Sequence, residues 1–237
     1  MAHNVEIHQA QTLILRELLF RPDASFTELR EPTGLESDHF KFHIAKLVEI
    51  GYVAKTVRGR YALTDDGKEH ANKLDTDNNS IERQPKSAVL LLVEKDGKYI
   101  VQERLKHPYF GYFGLPSGKI RWGETIHHAA SRELKEETGL SADTEFVGVY
   151  HEHASSEQGK LLEDKIFFIM KCTNVSGKLI EVFEGGKNAW MTVSETRKLT
   201  KRYHSFDFEL QFAIDEHGRS GNDVLVEQHQ VYSSDEF

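Results

Sequence analysis

The chain has 237 residues, of which 38% are hydrophobic and 29% charged. That is long for one small domain, comfortable for two, and leaves enough apolar mass for real cores. A formal net charge of −8 excludes a surface that binds polyanions throughout, so any nucleic-acid or phosphate contact is local or carried by a metal ion. The single cysteine, Cys172, excludes an internal disulfide and fits a reducing compartment; it reads as a buried small residue in a strand. The apolar runs are short, with no transmembrane or signal segment, and a cytoplasmic location without membrane contact is expected.

The first helix is expected over "QAQTLILRELLF", where Leu13, Ile14, Leu18 and Leu19 recur at helical spacing and Pro22-Asp23 ends the run. Ser25 and Glu28 form a capping-box pattern that opens a short second helix. Phe40, Ile44, Leu47 and Val48 lie along one face of a third helix, which Gly51 terminates. "YVAKTVRGRYALT" reads as two short strands around an Arg58-Gly59-Arg60 turn, and "DDGKEHANKL" as a closing helix. The polar stretch from Lys73 to Lys86 reads as a linker.

Beyond the linker, two apolar stretches flank Asp96-Gly97, a hairpin signal. "TEFVGVYHEH" and "KIFFIMKCT" are expected strands, and "SETRKLT" and "YHSFDFELQFAIDE" expected helices. Strands and helices mixed around one amphipathic helix imply an α/β layered domain with a mixed sheet. The polar residues after Asp215 are expected to be loosely held. His151 and His153 fall on one side of a strand. The sequence offers them no third or fourth metal ligand, so they read as surface histidines.

Three helices, a β-hairpin and a trailing helix resemble a winged helix-turn-helix, which would make residues 1–76 a mostly α domain. The resemblance implies duplex DNA as a partner, with Lys41, Lys46, Arg58 and Arg60 as candidate contacts, and a homodimer. A helical accessory or dimerisation domain is the competing reading, because Glu36, Asp38 and Glu49 sit among these bases.

The helix expected from Ile126 to Thr138, capped by Thr125 and stopped by Gly139, gathers Glu133, Glu136 and Glu137 within one third of its circumference. Three carboxylates so placed repel one another, and an oxygen-rich site of this kind suits a hard divalent cation, Mg²⁺ or Mn²⁺. The full spacing, Gly118, five residues, Glu124, seven residues, then "RELKEETGL" from Arg132 to Leu140, matches the Nudix box at every fixed position.

The resemblance implies a Nudix α/β/α sandwich over residues 87–215, after a linker at 77–86 and before a polar tail at 216–237. It implies metal-dependent hydrolysis of a diphosphate linkage in a nucleotide-type substrate. By position, Glu133, Glu136 and Glu137 resemble the metal-binding glutamates, with Glu133 also in the general-base position and Glu137 in the catalytic set. Arg132 resembles the residue that orients a glutamate, Glu124 a ligand acting through water, and Gly118 the loop residue that approaches the metal. Ser117 stands where many members carry a second glycine. A further ligand is expected at Glu184, six residues before Trp190, with Glu181 and Asp164 as competitors. The proline marks of ADP-ribose and NADH hydrolases are missing after Pro116. A transcriptional regulator that uses the Nudix domain as a nucleotide sensor is the alternative function.

Overall fold

The computed structural model describes residues 7–57, 59–214 and 225–233. The chain divides into two compact units, Met1–Gln84 and Pro85–Phe237.

In the first unit, α1 (Gln9–Phe20), α2 (Phe26–Arg30) and α3 (Ser37–Glu49) are followed by β1 (Val53–Lys55), β2 (Tyr61–Leu63) and α4 (Asp65–Ala71). The Ser25–Glu28 capping box forms as expected, with reciprocal side-chain bonds at both ends. A single 3₁₀ turn and Gly34, at φ 65°, join α2 to α3. Ile14, Leu15, Leu18, Leu29, Phe40, Ile44 and Leu47 close one core, because the apolar stripes of α1 and α3 face each other across it. The expected linker is only partly irregular: β3 (Leu74–Asp75) and β4 (Ser80–Ile81) form a small hairpin, and Leu74 joins the core.

The second unit opens with β5 (Lys86–Lys95) and β6 (Lys98–Arg104). Asp96 and Gly97 both take positive φ, 54° and 71°, the conformation a two-residue hairpin requires. Then come β7 (Phe113–Gly114), β8 (Ser117–Lys119), α5 (Ile126–Glu133), β9 (Leu140–Ser156), β10 (Leu161–Gly177), β11 (Val182–Phe183), β12 (Gly186–Met191), α6 (Val193–Thr196), α7 (Phe206–Ile214) and β13 (Leu225–Tyr232). The sheet runs β11-β12-β6-β5-β10-β9-β13, with β7 on β6 and β8 on β5. It is mixed: β5 with β10 and β9 with β13 are parallel pairs, whereas β9 with β10 is antiparallel.

The unbroken apolar run Ala88–Val93 follows from burial on both faces. Val89, Leu91 and Val93 pack with Ala129, Ala130 and Leu134 on the α5 side, whereas Ala88, Leu90 and Leu92 pack with Phe206 and Leu210 of α7. Cys172 is buried, as expected, and burial pushes its thiol up to about 12. The expected loose tail is corrected at residues 225–232, which extend the sheet as β13, eight residues in register with β9. Alternation in the tail was too weak to mark a strand, and only the exposed edge of β9 gives it a partner. Among the described residues, no helix is long and apolar enough to cross a membrane.

Gly67 in α4 tests the packing of the first unit. In an open helix, Gly→Ala stabilises by about 0.5–1 kcal/mol. Here an added Cβ would lie 1.9 Å from the Tyr52 carbonyl oxygen. Gly67→Ala is therefore expected to destabilise this unit by about 1–3 kcal/mol, read as a lower urea midpoint. An unchanged or raised midpoint would refute the close approach.

Candidate active site

Thr125 caps α5 by accepting from the His128 backbone N–H, and the helix delivers Arg132 and Glu133 at its C-terminal end. The Arg132 guanidinium is the hub of the site. Nε and Nη2 donate to the two Glu124 oxygens at 2.7 and 2.8 Å, Nη1 to Glu133 at 2.6 Å and to Glu136 at 3.2 Å, and Nη2 also to the Lys119 carbonyl at 3.0 Å. The fork of Arg132, with the Arg121 backbone N–H, holds the Glu124 carboxyl down to about 2. The same carboxylates raise the guanidinium above its ordinary value, Glu124 first.

Gly118 of β8 lies against this hub. A Cβ there would meet the Glu133 carboxyl carbon at 1.9 Å, so only glycine lets the strand pass so close.

The helix does not end as a regular α-helix. Leu134–Thr138 form one wide π turn, a geometry frequent at functional sites. Thr138 Oγ1 donates to the Leu134 carbonyl at 2.5 Å, and Gly139 takes φ 75° to leave the helix. Lys135 turns away and donates to the Gly139 carbonyl.

Glu133 and Glu137 both line one cavity of about 570 Å³. Glu136 does not share it: its carboxylate is 49% exposed and is held by Arg121 at 3.0 Å as well as by Arg132. The regular helix read from the sequence put all three on one face; the structure brings two into the cavity. Glu137 accepts from Gln102 Nε2 at 3.0 Å, and burial raises its carboxyl. Asn188, 5% exposed, donates to the Glu137 and Ile180 carbonyls at 2.8 Å each and accepts from Gln102 at 3.2 Å.

Sequence reasoning missed both amides. Their signal was a polar residue inside each of two strands, at "IVQER" and "GKNAW".

The cavity has a second acidic end, also missed. Glu152, Glu163 and Glu209 line it with Lys86, Lys165 and Tyr203. Lys86 and Lys165 pair with Glu163 at 3.1 and 3.0 Å. Glu209 is 4% exposed and accepts from Ser205 Oγ at 2.8 Å; burial, then repulsion from Glu152, pushes its carboxyl up to about 8. The expected ligand Glu184 is exposed in the turn between β11 and β12, next to Gly185, which lines the cavity.

In the first unit, Lys41 is exposed on α3, and Lys46 pairs with Glu49 at 3.0 Å. Arg60 is bound by Asp23 at 2.8 Å and Glu28 at 3.3 Å, so its charge is locally met. Arg58 lies outside the described residues.

The model of the NUDIX domain matches residues 83–210, more than half of the chain. An ADP-ribose pyrophosphatase of Methanocaldococcus jannaschii is 34% identical over 115 residues, covering 46% of this chain and 67% of that protein. An RNA pyrophosphohydrolase of Erythrobacter litoralis is 39% identical over 61 residues, covering 26% of this chain and 37% of that protein. A crystal structure of a MutT protein from Bacillus halodurans aligns with a TM-score of 0.49 and 23% identity, over 64% of this chain and 93% of that one.

The buried Glu209 sets a pH dependence. Its folded value, about 8, lies above the ordinary carboxylate value of 4.5. The folded state then holds a proton that the unfolded state has released, so this contribution is present below about pH 4.5 and is lost as pH rises through about 8. Glu209→Gln mimics the protonated form. Its melting temperature is expected to fall less than the parent's between about pH 6 and 9; parallel declines would refute the assignment.

Proposed function

Because the chain belongs to the Nudix family and is a Nudix-type pyrophosphohydrolase, we propose that it cleaves a diphosphate linkage in a nucleoside diphosphate derivative, using Mg²⁺ or Mn²⁺ held by Glu133 and Glu137. The observation that carries this is the convergence of these two carboxylates in one cavity, with the Gly118 backbone against Glu133. The donor set fits a hard cation: the ligands are carboxylate oxygens, and the half-buried Glu137 has a neutral amide, Gln102, as its hydrogen-bond donor. A divalent cation held by Glu133 and Glu137 would supply positive charge against the carboxylates and the phosphate oxygens.

The residues of the chain do the rest. Arg132 holds one oxygen of Glu133, which leaves the other to accept the proton of the attacking water. Gln102 and Asn188 fix Glu137 and the helix end, so the carboxylate keeps its place as charge moves. Glu124, clamped by Arg132, and Glu136, outside the cavity, support the ligands through Arg132 and through water. Arg104 and Lys106 line the same cavity and supply positive charge for the phosphates. The second acidic end offers acceptors for ribose hydroxyls or base amino groups. Similarity to the Methanocaldococcus jannaschii protein makes ADP-ribose the first substrate to test, although the chain has no proline after Pro116.

The test is hydrolysis of a nucleotide panel with Mg²⁺ or Mn²⁺ and with chelator. Activity is expected to vanish with chelator. Glu133→Gln is expected to lower kcat about 10²–10⁴-fold, and Glu137→Gln to raise the metal concentration needed. Near-normal turnover in Glu133→Gln would move the base elsewhere. Glu184→Ala is expected to leave the metal-activation curve unchanged, since that residue is exposed; a shifted curve would return it to the ligand set.

We further propose that the first unit is a winged helix-turn-helix that binds duplex DNA as a dimer, which would make the protein a nucleotide-responsive regulator. The order α1-α2-α3-β1-β2-α4, with Lys41 exposed on α3, supports this reading. With Arg60 already paired, α3 carries the contact. Each phosphate contact contributes about −0.9 to the slope of log affinity against log salt, so Lys41→Ala should flatten that slope by up to about one unit. An unchanged slope would leave dimerisation as the role of this unit.

A further inference from the structure

We propose that His151, His153 and Asp164 form a second metal site, for a divalent transition ion of the zinc class, separate from the glutamate cavity. His151 and His153 stand two apart on β9, so both project from one face, while the buried Tyr150, Glu152 and Ala154 project from the other. Asp164 of β10 is in register with His153 and shares the histidine face. The third ligand that the sequence did not reveal is therefore supplied by strand pairing.

The donor geometry suits an ion. His151 Nε2 lies 2.9 Å from Asp164 Oδ1, His153 Nε2 lies 3.5 Å from the same oxygen, and donor atoms of the three side chains all fall within 4.8 Å of one another. Ligands at 2.0–2.2 Å around a tetrahedral zinc stand about 3.3 Å apart, so small side-chain rotations suffice. Imidazole nitrogens with one carboxylate favour zinc, cobalt, nickel or copper over magnesium, which prefers oxygens alone.

A supporting partner is already in place. Glu227 of β13 lies 3.3 Å from His151 Nδ1, the nitrogen that points away from Asp164. A carboxylate on the far nitrogen fixes the ring and its tautomer so that Nε2 is free to ligate. His229 of β13 is in register with His153, its ring centroid 6.2 Å away, and puts a further imidazole beside the site. The three side chains are half-buried, so a coordination position stays open to solvent. Through Glu227, a bound ion also ties β13 to the sheet.

The test uses the full-length protein, stripped with chelator and titrated with Co²⁺ in excess Mg²⁺. Tetrahedral, histidine-ligated Co²⁺ absorbs strongly in the visible, whereas Co²⁺ in an octahedral oxygen site absorbs weakly, so the spectrum separates the two sites. One equivalent is expected to give the strong band, and Zn²⁺ to abolish it by displacement. The band should disappear in His153→Ala and in Asp164→Asn, the second keeping size and shape in case the first disturbs the strand. It should persist in Glu137→Gln. Glu227→Gln should weaken Co²⁺ binding about tenfold or more. No strong band in the parent, a band that survives both His153→Ala and Asp164→Asn, or one lost in Glu137→Gln would each overturn the proposal.

Discussion

The Arg132 guanidinium carries positive charge into the end of a helix where four glutamates lie within reach of one another, and the cavity depends on it. It clamps Glu124 with two donors, steadies Glu133 with a third bond and also bonds Glu136. Without it, Glu124, Glu133 and Glu136 would repel at short range, and the Gly118 strand could not rest against the Glu133 carboxyl. The arrangement leaves Glu133 and Glu137 lining a cavity that Arg104 and Lys106 also line.

The second constraint is the π turn. It lies just where the glutamates stand, and on it Glu137 faces inward to Gln102 while Glu136 faces outward to Arg121. The turn is held from outside the helix. Asn188 satisfies the Glu137 backbone carbonyl, and Gln102 satisfies its side chain. An amide pair is neutral, so it anchors the carboxylate without cancelling its charge.

The two acidic ends of the cavity differ in physical state. The Glu133–Glu137 end is balanced by arginine and a proposed cation. At the other end, two lysines meet Glu163, and Glu209 is buried deeply enough to hold its proton at neutral pH. One cavity thus holds an arginine-clamped carboxylate group at one end and, at the other, a lysine–glutamate set beside a buried acid. On the opposite face of β9 from Glu152, the histidines offer softer donors than either end of the cavity.

The sequence by itself determined the local structure and the identity of the box. Capping residues, apolar spacing, the Asp96-Gly97 turn and the run from Gly118 to Leu140 are all readable from neighbours a few positions apart, because helix, hairpin and cap energetics are set at that range. The partners brought in by folding were decided only by the tertiary structure. Gln102 and Asn188 reach Glu137 across 35 and 51 residues, and Glu227 reaches His151 across 76. The same holds for β13, whose weak alternation becomes a strand only because β9 presents an open edge. Local propensity acts along the chain, whereas burial and the pairing of distant polar groups depend on which strands lie side by side, and sheet order is a property of the whole fold.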